Sequence, residues 1–169
     1  LLSKATFVYD GNRKKPTVTV KDRKGNTIKS SNYKVTYSNN LKVGTGTVKV
    51  TFNYDSDDDK YVGEMVRTIT INPKGTKLAK LTAKSKAINV KWNKQSVQTS
   101  GYQVQVATDS KFTKNKKTVT VSGTSNTSKT ITGLKAKQRY YVRVRTYKTV
   151  NNKKYYSSWS GYRYTTTKK

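Results

Sequence analysis

Hydrophobic and polar positions alternate along most of this chain with a period of two rather than 3.6, the spacing of strands with one face on a core and the other in water. Val18 and Val20 in "PTVTVKD", Tyr33, Val35 and Tyr37 in "YKVTYS", and Val48, Val50 and Phe52 in "TVKVTF" form the apolar stripes, with Thr, Lys or Asn between them. Turn residues separate the runs at Asp10-Gly11, Gly25-Asn26, Asn39-Asn40 and Gly44. After "RTITI" the pattern breaks at Asn72-Pro73-Lys74-Gly75, and a new strand series starts at Lys80. It carries four inward stripes: Ile88, Val90 and Trp92; Tyr102, Val104 and Val106; Val119 and Val121; Tyr140, Val142 and Val144. The prediction is an all-β chain of two tandem β-sandwich domains, residues 1–73 and 77–169, joined by a short linker over 74–76.

Composition narrows the chemistry. The 169 residues include no cysteine and no histidine, which removes disulfides, thiolate metal sites, the usual zinc ligands and every histidine-dependent triad. No stretch approaches the roughly 18 apolar residues of a membrane span, so membrane insertion is not expected. The opening Leu1-Leu2-Ser3-Lys4 has neither an initiator Met nor a signal pattern, and the chain reads as a monomeric fragment of something longer.

Charge divides the two halves. Residues 1–73 carry 13 Lys and Arg against 7 acids, whereas residues 74–169 carry 23 against one, Asp109, so that +22 of the formal +28 belongs to the second domain. Such a field concentrates polyanions and is screened by salt. Most of it is lysine, a hydrated point charge suited to diffuse attraction rather than to bidentate recognition. Lysine also keeps a β-rich surface soluble and its edges unpaired, and the sequence leaves both roles open.

The run from Leu134 through Tyr140 to Val142 and Val144 resembles the E–F corner and F strand of fibronectin type III modules, in which the tyrosine closes a corner by bonding back to the backbone. Trp92 matches that family's core tryptophan, and "YYSSWSGYRYTTT" is similar to its G strand; Ala136 stands where the family commonly has proline. The resemblance covers about Lys77 to Thr167. Residues Ala5 to Ile71 resemble the immunoglobulin-like repeats of surface proteins from Gram-positive gut bacteria, through Tyr9-Asp10-Gly11, Pro16 with Val18 and Val20, "YKVTYSNN", "VGTGTVKV" and the closing Ile71-Asn72-Pro73. These resemblances imply an extracellular module, secreted or on the bacterial surface, acting as stalk, adhesin or envelope attachment. For such a protein the abundant polyanions are anionic cell-wall polymers.

Three groups of residues are candidate sites. Arg143 and Arg145 alternate with core valines and face the run containing Tyr155, Tyr156, Trp159, Tyr162 and Arg163. This surface reads as an Arg–Trp ladder that stabilises the sheet, as a glycan-stacking or host-protein patch, or, with the least support, as a nucleic-acid surface. Asp55, Asp57, Asp58 and Asp59 gather four of the eight carboxylates in one elaborated hairpin loop. A solvated tip, an electrostatic contact and a weak calcium site are the readings; the loop lacks the glycine and glutamate of an EF-hand. Asp10, Asp22 and Asp109 are scattered among turns, and Glu64 is the only glutamate, so paired-carboxylate catalysis has no basis. The expectation is a non-enzyme without cofactor that attaches to the envelope through the basic second domain, or else a passive spacer or an adhesin.

Overall fold

In the computed structural model, which describes residues 1–52 and 62–169, the period-two stretches become the strands of three sheets, and the chain divides between Asn72 and Pro73 into two units. The architecture is all-β and of the sandwich type.

The first unit contains β1 (Thr6–Val8), β2 (Tyr33–Ser38), β3 (Gly44–Phe52) and β4 (Glu64–Asn72), in the order β1-β4-β3-β2. β1 lies parallel to β4, and the other pairs are antiparallel. Val48, Val50, Ile69 and Ile71 are buried because alternation puts them on one face. Gly46 permits the close approach of β4: a Cβ there would lie 3.0 Å from both the Asn39 carbonyl oxygen and Ile69 Cγ1.

The layer covering this face departs from the sequence reading. Val20 is buried and Val18 half-buried, as their alternation demands, but "PTVTVKD" forms no regular strand; its ladder pairing is limited to the isolated bridges Leu2–Val18 and Lys21–Thr27 and a few backbone bonds beside them, such as Ser3 N–H to the Thr17 carbonyl. Pro16 lacks an N–H for a ladder. Side chains tie the layer down in its place. The Tyr37 hydroxyl donates to the Pro16 carbonyl at 2.8 Å, and Asn40, 1% exposed, donates through Nδ2 to the Lys14 carbonyl at 2.8 Å.

The second unit packs two sheets. One is β5 (Leu78–Lys84), β6 (Ala87–Trp92) and β9 (Ser128–Ile131). The other runs β11-β10-β7-β8, with β7 (Gly101–Ala107), β8 (Lys117–Ser122), β10 (Arg139–Val150) and β11 (Lys153–Tyr156); β12 (Arg163–Thr166) pairs with the first part of β10. Between them lie Ile88, Val90, Trp92, Tyr102, Val104, Val106, Ile131, Val142 and Val144, with Leu134 and Tyr140 at one end. The Tyr140 hydroxyl accepts a hydrogen bond from the Lys135 N–H at 3.0 Å, which closes the corner before β10. Trp92 packs on Tyr102 at 5.3 Å, and its Nε1 is the one buried side-chain polar atom without a partner among the described residues.

Candidate functional site

Alternation along β10 sends Val142 and Val144 into the core and Arg143 and Arg145 to the outer face. There each guanidinium meets a glutamine at the paired position of β7. Arg143 donates through Nε and Nη2 to Gln105 Oε1 at 2.9 and 2.6 Å, and Arg145 donates likewise to Gln103 Oε1 at 3.0 and 2.7 Å. The glutamines pass the bond on to β8: Gln105 Nε2 donates to Thr118 at 2.8 Å and Gln103 Nε2 to Thr120 at 3.2 Å. Two polar rows therefore cross three strands.

Rings fill the spaces between the guanidinium planes. Arg145 lies 4.0 Å from the Tyr156 ring centre and 4.3 Å from that of Trp159, and Arg143 lies 4.6 Å from Trp159 and 3.9 Å from Phe112. Burial pushes both guanidiniums below the ordinary arginine pKa. For Arg145, Arg143 adds to the lowering and Tyr156 opposes it. The half-buried Trp159 indole thus meets a guanidinium from each of two neighbouring rows, the contacts a structural ladder calls for.

Trp159 reaches this position because the last strand is interrupted. β11 pairs with residues 147–150 and β12 with 139–142, and the stretch between them, six residues opposite four, follows β10 with two extra residues. Serine hydroxyls replace the missing backbone acceptors. Thr146 N–H donates to Ser157 Oγ at 3.1 Å and Val144 N–H to Ser160 Oγ at 3.0 Å, while the Ser157 and Ser160 N–H groups donate to the Thr146 and Val144 carbonyls. The bulge so closed projects the indole over the arginines.

The stack continues beyond Phe112 through Tyr162, Tyr141 and Tyr164 to Arg139, with ring separations of 6.3, 5.5 and 5.7 Å and the Arg139 guanidinium 5.0 Å from Tyr164. Tyr162 and Tyr164 are 51% and 59% exposed. Of the tyrosines named from the sequence, Tyr156 and Tyr162 belong to this stack. Tyr155 does not: it is 8% exposed, because alternation on β11 turns it away from Tyr156, and it is no surface anchor. Arg163 leaves the ladder too. Its Nη1 donates at 2.9 Å to the carbonyl of Ala79, at the register shift of β5.

Gln103, Gln105, Phe112, Tyr141, Tyr164 and Arg139 escaped the sequence reading. The glutamines alternate with Val104 and Val106, so their outward placement was readable, but their pairing with particular arginines depends on register. Phe112 is held by a loop that the unit's single acid organises. Asp109 accepts hydrogen bonds from Thr113 N–H, Thr113 hydroxyl and Lys114 N–H, at 3.0, 2.8 and 2.7 Å. These bonds, that of Lys114 foremost, hold its carboxyl below the usual carboxylate range. The other described carboxylates also serve their own neighbourhoods: Asp10 binds Asn12 N–H and Lys14, Asp22 binds Asn26, and Glu64 pairs with Lys49. Asp55, Asp57, Asp58 and Asp59 lie outside the described residues.

These are the fold and surface chemistry of a β-sandwich module that binds or spaces. Residues 71–161, more than half of the chain, match the fibronectin type III domain family, and the chain belongs to it. No curated protein matches the chain. Among solved structures it is similar to the FN1-FN3 domains of chicken CNTN1, at 21% identity and TM-score 0.47 over 76% of this chain and 44% of that one. It is also similar to a β-1,2-glucanase from Parabacteroides distasonis, at 15% identity and TM-score 0.46 over 73% of this chain and 18% of that one. The chain thus spans less than half the length of either.

Proposed function

We propose that this chain is a non-catalytic module of a secreted or surface-anchored Gram-positive protein, an immunoglobulin-like repeat followed by a fibronectin type III domain. The basic second unit holds anionic cell-wall polymer. One observation carries the reading: residues 74–169 place 23 cations against one carboxylate, and that carboxylate is occupied within its own loop. Among the described residues the ion pairs of the chain, Lys14–Asp10 and Lys49–Glu64, both lie in the first unit. The second unit's charge is therefore unneutralised by described side chains and available to a polyanion.

The test is sedimentation of the chain with Gram-positive cell walls. Binding is expected at low salt, falling steeply as salt rises, and residues 74–169 should bind where residues 1–73 do not. Equal retention by walls stripped of anionic polymer overturns the reading. A second reading, recognition of a glycan or host protein by an adhesin module, is favoured by the exposed rings of Tyr162 and Tyr164 beside Tyr141. Salt-insensitive binding to a neutral glycan would support it.

A further inference from the structure

We infer that the second unit holds its polyanion on the outer face of the β5-β6-β9 sheet, centred on Lys80 and Lys91, and that the ligand is a phosphodiester-linked polyol or sugar polymer. The inference rests on the reading of this unit as a polyanion binder and adds the face and the ligand chemistry.

Strand register places Lys80 directly opposite Lys91, and both are exposed. The next pair, Leu81 and Val90, belongs to the core, so alternation turns the two lysines outward together. Side chains so placed have Cβ atoms roughly 5 Å apart, and like charges there repel each other. An anion between them turns that repulsion into two attractions. Lys84 lies on the same side of β5, and its carbonyl accepts a hydrogen bond from the Lys168 N–H, so the chain's last lysines begin where this face ends.

The floor between these cations is short and polar: Thr82, Asn89, Ser128 and Thr130, with Asn89 Nδ2 donating to Thr130 Oγ1 at 3.1 Å. Apart from two small residues, Ala79 at the register shift and buried Ala87, no apolar side chain faces outward on these strands, and no aromatic one does. That selects the partner. Single-stranded nucleic acid is gripped by stacking on aromatic rings, and protein partners by buried anchors. A polymer of phosphates and hydroxyls needs cations and short hydrogen-bonding groups, which this face supplies. On the opposite sheet the central cations are engaged, Arg143 and Arg145 with glutamines and rings, and so is Lys117, with the Thr132 carbonyl at 2.7 Å; Lys148, Lys153 and Lys154 lie toward its far end.

The experiment measures binding of the full chain to immobilised poly(glycerol phosphate) at low salt. It compares the parent, Lys80→Gln/Lys91→Gln, and a control of equal charge loss on the β7–β8 loop, Lys111→Gln/Lys116→Gln, each confirmed folded by its melting transition. The first variant is expected to lose about tenfold in affinity, with a shallower salt dependence. The control is expected to lose less than about twofold. Equal losses in the two variants overturn the located face while leaving the wall-polymer reading standing. Absence of binding by the parent overturns both. Tighter binding of oligo(dT) than of the polymer, weakened by the same double substitution, overturns the assigned ligand chemistry.

Discussion

The two outer faces of the second sandwich carry cations at alternating strand positions and use them in opposite ways. On β10, Arg143 and Arg145 each meet a glutamine across the strand pair and rings along the guanidinium plane. On β5 and β6, Lys80 meets Lys91, over a floor of hydroxyls and one amide. The first arrangement takes charge out of water and fixes it by planar geometry, which suits arginine; the second leaves ammonium groups hydrated, which suits lysine. A net charge is thus no guide to what a surface does until the partner of each cation is known. If the comparison is right, substitutions on the ladder face cost stability and spare polyanion binding, and those on the lysine face do the reverse.

The largest effect is expected at Gly101, on which the ladder sheet closes. A Cβ there would lie 2.3 Å from the Val121 carbonyl oxygen and 2.9 Å from the Tyr147 Cε1 and hydroxyl oxygen, so β8 and β10 leave it no room. Gly101→Ala should destabilise the second unit by about 3 kcal/mol, the upper range of overpacking. Chemical denaturation would show this as a lower midpoint for that unit. A shift below about 1 kcal/mol would mean that the sheet can spread, and that the ladder's spacing is not set by backbone packing.

Trp159→Ala attacks the ladder itself. It removes a half-buried indole and its contacts with two guanidiniums, a loss of about 2 kcal/mol. Affinity for wall polymer should stay the same in conditions where the variant is folded. An unchanged melting temperature with abolished glycan binding would instead make Trp159 a ligand residue and reverse the assignment of the two faces.

Much of the contrast was legible in the chain before its structure. Alternation with core valines separated Arg143 and Arg145 from the interior, and the run from Leu134 to Tyr140 marked the corner that starts β10. What could not be read depends on contacts far apart in sequence. Pairing of Arg145 with Gln103 requires the register of β10 on β7, and Phe112 under Arg143 requires a loop conformation. The break between β11 and β12 was hidden because Ser157 and Ser160 look like ordinary strand serines until their hydroxyls are seen replacing backbone carbonyls. The Lys80–Lys91 pair was equally silent. The two residues are ordinary exposed lysines until a register shift between Leu78 and Lys80 brings them opposite.

Acid offers a third test, directed at the loop that supplies Phe112. Asp109 is held below the usual carboxylate range by hydrogen bonds from Lys114 and Thr113, so its ionised form is favoured by folding. The sign follows. This contribution is fully present above the unfolded carboxyl value near 3.8 and is lost as pH falls through the lower folded value. Stability of the second unit should therefore decline below about pH 4 in the parent, and the decline should flatten in Asp109→Asn. Because Asp109 is the only acid in this unit, an acid decline unchanged by that substitution would place its origin outside the β7–β8 loop.

The smallest effect has the sign that separates the faces most sharply. Lys80→Gln removes one member of a directly opposed like-charged pair, and Gln retains most of the aliphatic stem and a hydrogen-bonding tip. Exposed pairs of this kind are worth a few tenths of a kcal/mol, so at low salt the variant should be more stable than the parent by about 0.3 kcal/mol. Added salt should erase the difference, since it screens the repulsion in the parent. The same substitution on the other face, Arg145→Gln, should destabilise at every salt concentration, because the guanidinium's bonds to Gln103 and its stacking on Tyr156 and Trp159 are short-range. If Lys80→Gln also destabilises, and does so independently of salt, then Lys80 contributes through packing of its stem. The lysine face would then be a structural surface like the ladder, and the contrast between the two faces would collapse.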